Sequence, residues 1–150
     1  MYATREVDRV QARVREGMVS SPVITPRTSV RTALRLLREN CVPALPVFDE
    51  GQFLGLVDEK SLLRLSPSEA TTLDVWELHI LLDKLTVASV VRPTATIGPD
   101  ESLRQAAILM NDANSQALPV LEGGRLAGML SWNALLAVAM DIPAARAACA

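Results

Sequence analysis

The chain of 150 residues is 49% hydrophobic and 21% charged, with a formal net charge of −2 and a pI near 5.4. This excludes a disordered polar chain, and without clustered Lys and Arg it excludes a general nucleic-acid binder. Aromatic residues are 3%, so Leu, Val, Ala, Ile and Met must build the core. A chain this long can bury about 70% of its unfolded surface with no metal or disulfide.

The chain opens with Arg5, Arg9, Arg13 and Arg15 interleaved with Glu6, Asp8 and Glu16. Val7, Val10 and Val14 give residues 3–16 the spacing of a modest amphipathic helix with a solvated face, its 1–13 portion packing on the rest. No signal-peptide run and no stretch of about 18 uncharged apolar residues is present, which points to a cytoplasmic protein that does not enter a membrane.

Next comes an extended segment, Val23-Ile24-Thr25, stopped by Pro26, which biases its predecessor toward β. Ser29 caps a predicted helix with apolar residues at Val30, Ala33, Leu34 and Leu37. Two apolar runs, 44–48 and 53–57, flank Asp49-Glu50-Gly51-Gln52 and predict a hairpin. A second helix, 59–65, closes the unit.

Residues 66–86 form a helical connector. Ser66-Pro67-Ser68-Glu69 has the form of a capping box with Pro in the first turn. Thr72 is the expected cap of a further helix bearing Val75, Leu78, Leu81, Leu82 and Leu85 on one face, with Trp76 and Ile80 beside that stripe.

The same elements then recur. Thr96-Ile97-Gly98 is stopped by Pro99, and Ser102 caps a helix with Leu103, Ala106, Ala107 and Met110. The runs 117–121 and 126–130 flank Glu122-Gly123-Gly124-Arg125, and a helix follows over 132–140. The Ala-rich tail after Pro143 carries no signal of its own.

This recurrence is an internal repeat. A shift of 73 positions lays 14–65 over 87–138 without a gap, with 15 of 52 positions identical. Ala44-Leu45-Pro46-Val47 falls on Ala117-Leu118-Pro119-Val120, Gly55 on Gly128, and Leu62-Leu63 on Leu135-Leu136. Each copy reads β-α-β-β-α, giving a mixed α/β (α+β) fold. One copy has too little core to be stable alone. Two copies related by a pseudo-twofold axis, 14–65 and 87–139, would bury their sheet faces and leave a cleft with two related pockets, a common kind of ligand seam.

Catalytic chemistry is missing from the sequence. His79 is the only histidine, and on the apolar connector it reads as packed. No G-x-S-x-G, P-loop or G-x-G-x-x-G motif occurs, and no ligand cluster has metal spacing. Cys41 and Cys149 match no redox spacing and read as reduced thiols, with Cys41 buried. The expectation is a non-enzyme without a resident cofactor or metal.

The tandem strings "ALPVFDEGQFLGLVDEKSLL" and "ALPVLEGGRLAGMLSWNALL", each with the same preceding strand and helix, resemble a pair of CBS domains, the family named for cystathionine β-synthase. The resemblance covers about 14–139, and the connector "SPSEATTLDVWELHILLDKLTV" is similar to that of acetoin-utilisation-type members, which often add a C-terminal ACT domain; none is expected here. It implies a regulatory module binding adenosine-containing ligands (AMP, ADP, ATP or S-adenosylmethionine) and pairing into a disc-like homodimer. It also implies a pocket pattern G-h-h-[ST]-x-x-D, in which the hydroxyl helps hold phosphate at a helix N-terminus and the Asp holds ribose.

Both copies depart from that pattern. After Gly55 the hydroxyl position is Asp58 and the ribose position is Ser61. Asp58 and Glu59 repel phosphate by on the order of 1 kcal/mol or more. After Gly128 the positions are Ser131 and Ala134, with Trp132 and Asn133 nearby. Asp58 and Ser131 can equally be plain N-caps. By resemblance the better pocket comprises Ile97, Gly98, Ala117, Leu118, Pro119, Gly128, Ser131 and Asn133. The weaker comprises Ile24, Thr25, Ala44, Leu45, Pro46, Asp58 and Ser61. Gly55 and Gly128 suit strand bends as well as close ligand approach. Two functions are compatible with these residues: a nucleotide-sensing module, or a ligand-free module docking on a partner enzyme or transporter. A homodimer is expected because the apolar connector and pairing helices exceed what one small monomer can cover.

Overall fold

The computed structural model describes residues 11–65 and 74–143. Five α-helices and two antiparallel hairpins lie among them. They are α1 (Val30–Asn40), β1 (Ala44–Asp49), β2 (Gln52–Asp58), α2 (Glu59–Leu65), α3 (Val75–Lys84), α4 (Leu103–Ala113), β3 (Ala117–Glu122), β4 (Arg125–Ser131) and α5 (Trp132–Met140). The elements of each copy therefore match the β-α-β-β-α reading, although the leading strand of each is a single bridge. Ile24 pairs in parallel with Val47, and Ile97 with Val120.

Local chemistry accounts for each element. The Ser29 and Ser102 side chains accept from the Thr32 and Gln105 amides, which caps α1 and α4. Both helices end on a left-handed residue, Cys41 (φ 54) and Asn114 (φ 48), again 73 apart. The hairpin loops are Glu50-Gly51 and Gly123-Gly124, all four residues at positive φ. This is the two-residue turn whose twist matches paired strands. Registers are equivalent too, Val47 facing Gly55 and Val120 facing Gly128, each followed by a bulge.

The chain divides into two compact units. One is Pro22–Pro93; the other joins the chain up to Ser21 to the chain from Thr94 onward. Each has its own core, Leu45, Val47, Val57 and Leu62 in the first and Leu103, Met110, Leu118 and Leu130 in the second, all at most 1% exposed.

These units are offset from the sequence repeats 14–65 and 87–139, because the segment leading into each copy packs on the other copy's elements. In one unit Leu103 N–H donates to the Ala12 carbonyl (2.8 Å), Val14 N–H to Glu101 (2.9 Å), and Val19 exchanges hydrogen bonds with Met129 on β4. In the other, Val30 N–H donates to Leu85 (2.8 Å), Val87 N–H to Thr28 (3.0 Å), and Arg92 exchanges hydrogen bonds with Leu56 on β2. Every partner in one set lies 73 residues from its counterpart in the other.

Several sequence expectations need correction. The amphipathic helix over 3–16 does not extend through its C-terminal part. Residues 11–13 are not helical, and Val14–Glu16 is a short 3-10 turn that sinks Val14 into the core. Its portion over 1–10 lies outside the described residues, as do Ser66-Pro67-Ser68-Glu69, Thr72 and the tail from 144. The cap of α3 is Asp74, in a reciprocal box with Glu77, because Asp74 supplies the acceptor immediately before the helix. His79 is exposed, since only the other side of α3 reaches the core. Cys41 is half-buried and disulfide-bonded, not a reduced, buried thiol; Cys149 lies outside the described residues. No described helix is long and apolar enough to cross a membrane.

Candidate functional site

The better pocket by sequence falls wholly within one unit. Ile97 N–H donates to the Pro119 carbonyl (3.2 Å), and Leu121 N–H returns a bond to Ile97 (2.9 Å). Ala117 faces Ser131 and Pro119 faces Met129 across the hairpin. These bonds bring Ile97, Ala117, Leu118, Pro119 and Gly128 beside the start of α5. Their side chains are core: Ile97 is 3% exposed, Ala117 1% and Leu118 0%, and Pro119 and Gly128 are buried. The residues with surface to offer are Gly98 and Ser131, both half-buried, and Asn133, which is exposed in the first turn of α5.

Ser131 is the N-cap of α5, its Oγ accepting from Ala134 N–H at 3.0 Å. That leaves the hydroxyl proton and a second lone pair, so capping and donation to a ligand are compatible. Sequence reasoning passed over Thr94, whose Oγ1 is buried with no hydrogen-bond partner among the described residues. Only its place ahead of the leading strand could have signalled it.

The weaker pocket lies wholly in the other unit. Ile24 N–H donates to Pro46 (3.0 Å), Phe48 N–H donates to Ile24 (2.9 Å), and Ala44, Leu45 and Pro46 are buried. Thr25 is exposed and closes a turn in which its N–H donates to Thr28 Oγ1 (3.1 Å). Asp58 takes the position that Ser131 holds in the other copy. One of its oxygens accepts from Ser61 N–H at 2.8 Å and the other from Arg92 Nη2 at 3.0 Å. Burial raises the Asp58 carboxyl pKa. Hydrogen bonds from the Ser61 amide and hydroxyl, with the charges of Arg92 and Lys60, outweigh burial and hold it below its ordinary 3.8. It is therefore a carboxylate at neutral pH. Arg92 was missed because its place in the sequence belongs to the second copy, while its hydrogen bonds are with the first.

Gly55 and Gly128 are explained by packing. A Cβ on Gly55 would overlap the Arg92 carbonyl, and one on Gly128 would come within 2.8 Å of the Val19 carbonyl oxygen. Each glycine lets a lead-in backbone lie against the strand. Among the described residues no group of three His, Cys, Asp or Glu could hold a metal ion.

The CBS domain model matches residues 12–68 and again 87–141. The chain belongs to the CBS domain family. CBSX2, solved in complex with AMP, is 30% identical, with a TM-score of 0.67 over 87% of this chain and 97% of that one. The CBS domain of a CBS domain-containing membrane protein from Sphaerobacter thermophilus has a TM-score of 0.77 at 21% identity, covering 91% and 95% of the two chains. The putative acetoin utilization protein AcuB of Vibrio cholerae has a TM-score of 0.68 at 19% identity, covering 87% and 92%. The latter two share the fold. Among curated relatives, the chain is 29% identical to chloroplastic CBSX2 of Arabidopsis thaliana and 27% identical to the A-adding tRNA nucleotidyltransferase of Aquifex aeolicus. The aligned parts are 80% and 89% of this chain. They are 59% of CBSX2 and 15% of the nucleotidyltransferase, so the CBS pair corresponds to part of larger proteins.

Proposed function

We propose that this CBS pair is a non-catalytic regulatory module that binds an adenine nucleotide in the unit built on β3, β4 and α5, and not in the other. One observation carries the reading: equivalent helix caps are Ser131 in one unit and Asp58 in the other. The N-terminus of α5 offers amide hydrogens, the positive end of the helix dipole and a neutral hydroxyl, all favourable to phosphate. At α2 the cap is an ionised carboxylate that already holds Arg92. The complex of CBSX2 with AMP makes AMP the first ligand to test, with ADP, ATP and S-adenosylmethionine as alternatives. Ala134 at the ribose position provides no carboxylate, so Asn133 and backbone groups must serve the sugar. A cytoplasmic setting accompanies this reading.

Calorimetric titration of the whole chain with AMP tests it. One nucleotide per chain is expected, and ligand at about 100 times its dissociation constant should add about 2.7 kcal/mol of stability. Ser131→Asp should weaken binding about fivefold or more, the equivalent of about 1 kcal/mol of repulsion. Absence of both heat and a melting shift at millimolar nucleotide rejects the proposal.

A second reading, a ligand-free module docking on an enzyme or transporter, draws support from Asp58 and Ser131 both capping their own helices. Capture of the same partner with and without nucleotide would favour it.

A further inference from the structure

A groove of about 600 Å³ runs between the lead-in segment 12–19 and helix α5, wholly within the unit that contains β3 and β4. Its volume is that of a small-molecule site. Met18, Val19, Ala134, Ala137, Val138 and Ile142 give it apolar walls. Two of these, Val19 and Ile142, are 51% and 56% exposed, so the apolar surface reaches solvent. Both walls are held in place. Val19 exchanges backbone hydrogen bonds with Met129 on β4, and Leu135 anchors α5 in the core.

The charged lining is acidic only, Glu16 and Asp141. Glu16 Oε2 accepts from Arg13 N–H at 2.8 Å, while the Arg13 and Arg15 guanidiniums reach Asp100 and line no part of the groove. Asp141 caps the C-terminal end of α5, where the helix dipole favours a cation and no basic residue stands in the last turn. The other copy shows that the fold does not demand this chemistry. The sequence equivalents of Glu16 and Asp141 are Ser89 and Ser68, and those of Val19 and Ala137 are Arg92 and Arg64. Ser131 and Asn133 do not line the groove. It is separate from the nucleotide position and meets it only at Ala134.

We propose that this groove binds an amphiphilic organic cation, a protonated amine on an apolar body. The body lies against Met18, Ala137 and Val138, and the ammonium faces Glu16 and the C-terminal end of α5. An anionic amphiphile would meet only like charge there, and a neutral one would leave that charge unanswered. This inference does not depend on the nucleotide reading.

Amide chemical shifts of the full chain, followed without nucleotide during titration with 4-phenylbutylamine, are the test. Saturable shifts are expected at Gly17, Met18 and Val138. The isosteric 4-phenylbutanol should bind about fivefold more weakly, and 4-phenylbutyrate about tenfold or more. Glu16→Gln keeps an oxygen for Arg13 N–H and should raise the amine's dissociation constant about fivefold. Val19→Arg installs, at an exposed position, the residue that the other copy carries, and should raise it about tenfold. Circular dichroism of both variants verifies that the fold is intact. Amine shifts that are absent or scattered away from the groove, an acid or alcohol that binds as tightly as the amine, or either variant at the wild-type constant overturns the inference. Shifts at Gly17 and Val138 that follow protein concentration alone would seat a second copy in the groove and overturn it as well.

Discussion

Replacing Gly55, Gly128 and Gly98 one at a time with alanine should give a graded loss of stability. On β2, Leu56 exchanges two hydrogen bonds of 2.9 Å with Arg92, and the methyl of Gly55→Ala would collide with that same Arg92 carbonyl. Backbone cannot rotate aside as a side chain can, so the segment must lift. Two hydrogen bonds of about 1 kcal/mol each are then at risk. Overpacking adds about 1–3 kcal/mol, and the stiffer unfolded chain returns about 0.4–1 kcal/mol. The net cost is about 2–4 kcal/mol, or a fall in Tm of roughly 5–15 °C for a chain of this size. At Gly128 the clash is milder, 2.8 Å to Val19 O and 3.3 Å to two atoms of Met18, and about 1–2 kcal/mol is expected. A Cβ at Gly98 meets only Glu101 Cγ at 3.9 Å. Gly98→Ala should be neutral or stabilising by up to about 1 kcal/mol. Urea denaturation followed by circular dichroism reads all three. A neutral Gly55→Ala, or a Gly98→Ala as costly, would mean that these glycines are not there to admit the crossing backbone.

Ser131→Ala removes the α5 cap and should cost about 1 kcal/mol, with Ser131→Thr recovering most of it; equal urea midpoints for wild type and Ser131→Ala would contradict the capping role. Leu118→Ala empties a fully buried core position and should cost about 2–5 kcal/mol by the same assay. A loss below about 1 kcal/mol would show the core to be looser than described. For Asp58 the sign follows from its lowered pKa. The carboxylate's contribution is complete above the ordinary 3.8 and is lost as pH falls through the lower folded value. Stability of the wild type should therefore drop more steeply than that of Asp58→Asn below about pH 4. Parallel acid titrations of the two proteins would remove Asp58 from the account.

Much of the fold was legible because the information is local and appears twice. Ser29, Ser102, Pro26, Pro99, Gly51 and Gly124 act on their immediate neighbours, and both hairpins and their following helices fall where the runs place them. The site was less legible. Ile97, Ala117 and Leu118 were named from a family pattern, yet their side chains have almost no surface. Thr94 and Arg92 carried no motif. Apolar neighbours in the sequence predict a packed His79, but exposure depends on which side of α3 meets the core.

By itself, the sequence determined the duplicated β-α-β-β-α plan, its caps and turns, and the departure at Asp58 and Ser131, all set by neighbouring residues or by comparing one copy with the other. Only the tertiary structure decided which copy each lead-in segment joins, with 12–19 packing on β4 and α4 and 85–92 on β2 and α1. The reason is that a backbone hydrogen bond is the same bond to either copy. The choice between two nearly identical docking edges is made by chain connectivity and packing, which residue identity does not record.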